Sequence, residues 1–303
     1  MPIQLVKTLV FLAVIVCGCN NPVDKEDTLL KIGAYRLSVA DYTLARNGVQ
    51  YKNLDDEQLQ DRLVEEGRIL AYALEHRFDT IDLLKKQLLY AMRYYASSVD
   101  GYVWDKKVKP LLQAISDERS KALAPEKYIR EGQQRVLQAT KPLLHEAAIA
   151  RMAAVVVERE RKWPGIDPDL LLMEYQFDGA HRRYTAADFM EFVQCQPVFI
   201  GSLANPEDIK KMLHSWLIGI CLYAEGQQLG MEKDPAYLQV RQRYQYGIFI
   251  QHFKQQHIYP RIAIDKYAAA NIRQSLFSRQ EKALLSELDS AYPVEINRFN
   301  DIQ

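Results

Sequence analysis

The sequence lacks three features that would each point to a class of function. Basic and acidic residues are balanced, with 39 of each among 303 residues, so no charge excess favours binding to nucleic acid or to anionic lipid. No apolar run approaches the ~20 residues that a membrane-spanning helix needs. Cysteine is scarce, with four residues. We therefore expect no nucleic acid partner and no fold stapled by many disulfides.

Motifs for catalysis and cofactor binding are also missing. His145-Glu146 lacks the second histidine of a zinc helix, and His252 and His257 are five residues apart, which turns them off a common helical face. No nucleophile elbow and no glycine-rich phosphate loop occur. We expect no catalytic residue, no metal, no cofactor and no small-molecule substrate.

What the chain does have begins at its N-terminus. Lys7 precedes the apolar run 9–16, which is too short to cross a bilayer and fits the hydrophobic part of an export signal. The following Val16-Cys17-Gly18-Cys19 resembles the lipobox of bacterial lipoproteins, with an aliphatic residue three before Cys19 and a small residue just before it. The resemblance implies a signal peptide at 1–18 and a lipid anchor on Cys19.

Two cysteines remain in the mature chain besides the anchor. Export would place Cys195 and Cys221 in an oxidising compartment, where a disulfide can form. Nothing in the sequence brings the two within bonding distance, so a disulfide and two buried free thiols both stay open.

An internal repeat is the most informative feature after the signal. Residues 31–42 are echoed by residues 176–189. In each copy a short apolar segment meets a glycine, Gly33 or Gly179, which permits the turn that a strand needs to double back. A helix start of the Ser/Thr-x-x-Asp kind follows. Its hydroxyl accepts a hydrogen bond from a backbone N–H of the first turn, and its carboxylate lies where the helix dipole favours negative charge. The two capping pairs are Ser38 with Asp41 and Thr185 with Asp188.

The similarity continues into long amphipathic helices. Each copy carries apolar residues at helical spacing, followed by a polar turn and a further helix rich in Tyr and Gln, at about 81–109 and 234–258. Residues 110–163 show helical periodicity without strand-like alternation. Residues 294–298 alternate as a half-buried strand does, and we expect this strand to pair with a strand at 30–37 or 171–178.

This pattern resembles the helical core of SurA/PpiC-type periplasmic foldases. The resemblance covers residues 29–109 and 170–299, and Tyr292-Pro-Val-Glu-Ile296 is similar to the closing strand of such proteins. It implies a mainly α, elongated multi-helix fold with a few short strands and with paired N- and C-terminal strands. The expected organisation is a signal at 1–18, a tether at 19–28, a helical unit at 29–109, a connector at 110–169 and a second unit at 170–303.

The chain departs from the family at its catalytic domain. Family members that isomerise prolyl bonds carry a parvulin domain of some 90 residues, and no segment here resembles one. The resemblance therefore implies a chaperone-like outer-membrane lipoprotein, facing the periplasm with cell-surface exposure left open, that binds unfolded or assembling envelope proteins. Two alternatives stay open: a diverged peptidyl-prolyl isomerase, and a structural accessory lipoprotein of an outer-membrane assembly or export complex.

Aromatic residues supply the candidate binding surface. Tyrosine, of which there are 18 residues, offers apolar area at low entropy cost together with a hydroxyl that tolerates water. The same residues recur at helical spacing and also fit a core. The candidates are Tyr90, Tyr94, Tyr95, Tyr102, Trp104, Tyr237, Tyr244, Tyr246, Phe249 and Phe253.

Overall fold

The computed structural model describes residues 27–48, 51–98, 101–113, 118–195, 202–258 and 270–299. Cys19, the predicted export signal and most of the predicted tether lie outside these residues. The described part of the chain is mainly helical, with ten α-helices and six short strands in two small antiparallel sheets. The expected mainly α class with a few short strands is confirmed.

The helices and strands alternate along the chain as follows. The strands are β1 (Thr28–Ile32), β2 (Tyr35–Ser38), β3 (Leu143–Leu144), β4 (Leu171–Phe177), β5 (Ala180–Thr185) and β6 (Val294–Asn297). The helices are α1 (Val39–Arg46), α2 (Asp56–Glu75), α3 (Asp82–Ser97), α4 (Lys109–Gln113), α5 (Glu118–Thr140), α6 (Glu146–Val155), α7 (Ala186–Cys195), α8 (Pro206–Gln228), α9 (Pro235–His257) and α10 (Ala270–Ala291).

Contacts divide the chain into two units, Met1–Asp79 with Phe249–Gln303, and Thr80–Ile248. These limits differ from the expected ones at 109 and 170. The reason is packing: α3, which the sequence assigned to the first unit, makes extensive contacts with α8. The helix α9 begins in one unit and ends in the other.

The first unit contains a sheet with the strand order β2-β1-β6. Leu30 lies opposite Asn297, and the Arg298 N–H donates to the Leu29 carbonyl at 2.8 Å. The expected pairing of the chain's two ends is confirmed, at the first of the two strands proposed. Leu30 and Ile32 are fully buried on β1, so the sheet forms part of this unit's core.

The second unit contains a sheet with the order β3-β4-β5. Asp178 and Gly179, at φ +53° and +70°, form the two-residue turn between β4 and β5, and two positive φ values in succession favour Asp-Gly there. Leu172, Phe189, Ile209 and other apolar side chains of the sheet, α6, α7 and α8 make the main core of this unit.

The two segments that the sequence aligned have the same order of elements. Each runs through a hairpin, a short helix, a long helix and a 3₁₀ turn into a further helix: β1, β2, α1, α2, α3 in one case and β4, β5, α7, α8, α9 in the other. The carboxylates of Asp41 and Asp188 each accept a hydrogen bond from the backbone N–H of the residue that precedes their helix, Ser38 and Thr185.

Two expectations about segments were wrong. One helix was expected over 81–109, but α3 ends at Ser97 and a π-helical turn, Trp104–Val108, follows. At Gly101 the chain passes so close to the Tyr95 carbonyl that a Cβ would lie 1.8 Å from it. The 110–163 segment was expected to lack strands but contains β3, because Lys141 turns left-handed (φ +46°) and Pro142 prevents the helix from continuing.

Candidate binding surface

A row of tyrosines runs from the interior to the surface of the second unit. We call Tyr102, Tyr237, Tyr95 and Tyr244 the tyrosine row. The ring centroids are 6.2 Å apart between Tyr102 and Tyr237, 6.4 Å between Tyr237 and Tyr95, and 6.4 Å between Tyr95 and Tyr244. These separations are within the range of favourable aromatic pairs. The sequence identified all four residues, and the structure brings them together.

Helical spacing explains why the row forms. Leu88, Met92 and Ala96 line one face of α3 and are buried in an apolar cluster with Tyr102, Met231 and Tyr237. Tyr95 lies at the margin of that face, partly buried against this cluster. Tyr237 and Tyr244 are seven residues apart, two turns of α9, so they point in the same direction. Tyr237 thus fills the cluster while Tyr244 reaches beyond it.

Exposure rises from Tyr237 to the outer end of the row. Tyr237 is 2% exposed, whereas Tyr244 is 39% exposed. Tyr94, the neighbour of Tyr95 on α3, is 63% exposed. Burial raises the pKa of Tyr244, and the nearby Tyr94 phenol raises it further. The outer end of the row is therefore a small aromatic surface made by Tyr94, Tyr95 and Tyr244, which we call the tyrosine surface.

Polar contacts hold Tyr237, the most buried ring of the tyrosine row. Tyr237 has its pKa raised by burial first and by a hydrogen bond with Tyr223 second. The Tyr223 hydroxyl donates to Glu232 Oε1 at 3.3 Å. Tyr223 was not among the sequence candidates, although it is one heptad from Trp216 on α8 and its spacing could have marked it. The inner phenols stay protonated at neutral pH and act as packing and hydrogen-bonding groups.

A cation contacts Tyr102, the residue at the inner end of the tyrosine row. Lys106 Nζ lies 5.2 Å from the centroid of the Tyr102 ring and 2.8 Å from Asp234 Oδ2. Burial raises the pKa of Tyr102, and the Asp234 carboxylate adds to this effect. The π-helical turn that carries Lys106 is thereby fixed to the start of α9.

The remaining candidates lie elsewhere. Tyr90 is buried in the main core of the second unit, with its ring 5.6 Å from that of Phe192, and burial raises its pKa to about 12. Trp104 and Tyr246 are partly exposed, and Tyr246 accepts a hydrogen bond from Gln242 at 2.8 Å. Phe249 and Phe253 belong to the first unit, where both are buried.

The first unit has an aromatic cluster of which the sequence candidates include Phe253 alone. The Tyr72 ring stacks on His76 at 3.8 Å and meets Phe253 and His257 edge-on at 5.1 and 5.4 Å. The Tyr292 ring lies 6.3 Å from that of Tyr72, and the Tyr292 hydroxyl donates a hydrogen bond to Glu75. Tyr72 of α2 and His76, the residue that follows the end of α2, are four residues apart, a spacing that identifies a helical pair but not its long-range partners.

Neither a cysteine nor a metal site belongs to the tyrosine surface as far as the structure describes the chain. Cys195 and Cys221 are both free thiols, as the free-thiol alternative expects, but Cys195 alone is buried and Cys221 is partly exposed. Among the described residues, no group of three or more His, Cys, Asp or Glu side chains is arranged to hold a metal ion. Within the same residues, no helix has the length and apolarity needed to cross a membrane.

The tyrosine surface can bind by apolar contact, by stacking and by hydrogen bonds from phenol groups. Its helices are joined to the core through the row, so the exposed rings are held on a rigid support. Comparison of the chain with protein-family models, with curated proteins and with solved structures gave no match.

Proposed function

We propose that this protein is a lipid-anchored, periplasm-facing lipoprotein of the outer membrane that binds unfolded or assembling envelope proteins, as SurA-like chaperones do. The observation that carries the proposal is the pair of exposed rings, Tyr94 and Tyr244, at the outer end of a row whose other rings are buried or partly buried. Tyrosine is enriched at surfaces that bind many partners, since it offers large contact area with two side-chain torsions to immobilise.

The anchor and the shared order of elements add support of a different kind. The lipobox-like Val16-Cys17-Gly18-Cys19 favours an exported protein held at a membrane. The two segments with the same order of hairpin, short helix and long helix favour a duplicated SurA-like unit. A binding surface held near the membrane would meet its substrates where they arrive.

An aggregation assay tests the proposal. A urea-denatured outer-membrane β-barrel protein is diluted into buffer with and without the purified chain, and light scattering is followed. We expect the wild type to delay aggregation and the Tyr94→Ala/Tyr244→Ala variant to do so several-fold less, because the variant loses the two exposed rings of the tyrosine surface. Leu83→Ala/Leu229→Ala, which removes two exposed leucines outside the tyrosine surface, is the matched control and should behave as wild type. A wild-type chain that does not delay aggregation contradicts the proposal.

Affinity purification from detergent-solubilised envelopes separates this function from that of an accessory subunit. Many substoichiometric envelope proteins are expected to accompany the chain. A single stoichiometric partner would instead identify it as a component of an assembly or export complex.

A further inference from the structure

Two arginines of α9 lie beside the tyrosine surface, and both are exposed. Arg241 is four residues after Tyr237 and three before Tyr244, so helical geometry places it on the face of α9 that carries the tyrosine row. Arg243 is next to Tyr244 in the chain. Burial raises the pKa of Tyr95 and of Tyr244, and the charge of Arg243 opposes this rise in both phenols, so the guanidinium is near the two rings.

Neither arginine has a counter-charge. Arg241 and Arg243 make no ion pair and no hydrogen bond with any residue that the structure describes. The helix α9 contains no Asp or Glu between residues 235 and 257. On α3, the only charged residue after Lys86 is Arg93. The helical segments that expose the tyrosines therefore bring cations to the surface and no carboxylate.

Carboxylates from other segments do not cancel this charge. In addition to burial, the carboxylates of Asp105, Asp234 and Glu232 raise the pKa of tyrosines in the row. Two of the three are ion-paired: Asp105 Oδ1 lies 3.3 Å from Lys109 Nζ, and Asp234 Oδ2 lies 2.8 Å from Lys106 Nζ. Three carboxylates against these two lysines and the two arginines leave a net charge of +1 around the row. The unpaired positive charge is on α9, beside the exposed rings.

We propose that the tyrosine surface selects segments of unfolded polypeptide in which acidic residues flank a large apolar side chain. The exposed rings of Tyr94 and Tyr244 contact the apolar side chain, and the guanidinium groups of Arg241 and Arg243 bind the carboxylates through charge-assisted hydrogen bonds. Tyrosine and arginine are the residue types enriched at the centre of protein interfaces. Two unpaired cations would neutralise only two phosphates of a nucleic acid, which favours a polypeptide as the partner. The inference rests on the proposed function and names the substrate class of the same surface.

Peptide binding tests the inference directly. Three end-capped peptides share a central leucine and differ only in the residues on its two sides, which are both aspartate, both asparagine or both lysine. Each peptide carries an uncharged fluorophore, and binding to the full chain is measured by fluorescence anisotropy. We expect the aspartate peptide to bind about fivefold more tightly than the asparagine peptide, since exposed ion pairs are individually weak, and the lysine peptide to bind most weakly. Raising the ionic strength should reduce the preference for aspartate.

Variants of the chain separate the two kinds of contact. Arg241→Gln/Arg243→Gln should bind the aspartate and asparagine peptides equally, with the affinity that the wild type has for the asparagine peptide. Arg182→Gln/Arg183→Gln changes two exposed arginines of β5, outside the tyrosine surface, and as the matched control should keep the preference. Tyr94→Ala/Tyr244→Ala should weaken the binding of all three peptides several-fold, because the apolar contact is common to them.

Several results would overturn the inference. They are equal binding of the aspartate and asparagine peptides by the wild type, no binding of any peptide, and an undiminished preference in Arg241→Gln/Arg243→Gln. Tighter binding of a short oligothymidine than of the aspartate peptide would also overturn it, by identifying a nucleic acid surface. A wild type that delays aggregation without preferring the aspartate peptide overturns the inference alone. One that prefers the aspartate peptide but does not delay aggregation supports the inference while the proposed function fails.

Discussion

The rings of Tyr95 and Tyr244 lie 6.4 Å apart, and this pair is where the buried aromatic cluster of the second unit reaches solvent. Tyr95 is partly buried between the core and Tyr244, so it supports the exposed ring from behind. A surface aromatic residue held in this way loses little conformational freedom when it binds a partner, and the cost of ordering it on binding is reduced. The position of this pair is the structural basis of the proposed function.

The capping pair Thr185 and Asp188 should contribute measurably to stability. Asp188 Oδ2 accepts hydrogen bonds from the Thr185 N–H and hydroxyl at 2.8 and 3.0 Å. Thr185→Ala removes the hydroxyl and should lower the free energy of unfolding by about 1 kcal/mol, measured by urea denaturation. Thr43→Ala is the control, because that hydroxyl only donates to the Val39 carbonyl within α1 and should change stability by less than about 0.5 kcal/mol. Equal effects of the two substitutions would contradict the capping role.

Glycine substitutions should have opposite effects at two positions. Gly179 has φ +70° in the turn between β4 and β5, so Gly179→Ala should destabilise the chain by about 1–2 kcal/mol because an L side chain disfavours that conformation. Gly132 lies inside α5 with open space around it, so Gly132→Ala should stabilise by up to about 1 kcal/mol. Thermal denaturation of the two variants gives both signs. A Gly179→Ala chain as stable as the wild type would show that the turn does not need a left-handed residue.

Both cysteine thiols should react slowly in the folded protein. Burial first, and the neighbouring carboxylates of Glu191 and Glu225 second, raise the pKa of Cys195 and of Cys221 to about 11 each. Since the thiolate is the reactive form, little of it exists at neutral pH, and the alkylation rate should keep rising as the pH approaches about 11. Iodoacetamide labelling followed by mass spectrometry measures this.

Unfolding provides the control for the thiol prediction. In urea without reductant, both thiols should be alkylated rapidly at mildly alkaline pH, because their pKa values return to the ordinary range. A chain in which neither cysteine is labelled after unfolding would contain the disulfide that this structure lacks.

The lipid anchor is a prediction from sequence alone, since Cys19 lies outside the described residues. Cys19→Ser should move the protein from the membrane fraction to the soluble fraction, because the acyl chains provide the membrane affinity. Cys17→Ser is the matched control and should remain in the membrane fraction, measured by fractionation and immunoblotting. A Cys19→Ser protein that stays with the membrane would exclude the assigned lipidation site.

Local chemistry was predictable from the sequence where one residue type determines the conformation. Gly179 in its turn, Asp41 and Asp188 at the helix starts and the alternation around Ile296 each identified a feature that the structure contains. The limits of the units were not predictable, because they depend on which helix α3 packs against. Burial of single tyrosines was not predictable either. Tyr90 and Tyr94 are one helical turn apart, yet Tyr90 is in the core and Tyr94 is 63% exposed. Packing partners, not helical spacing, decide which of the two is buried.

Photo-crosslinking in cells tests the central claim most directly. A photoreactive phenylalanine analogue replaces Tyr244, and in a parallel strain it replaces Leu83, which is also exposed but lies outside the tyrosine surface. Irradiation should crosslink the chain at position 244 to several envelope proteins, with little product at position 83. Equal crosslinking at both positions, or none at 244 while the protein is folded and exported, would contradict the account.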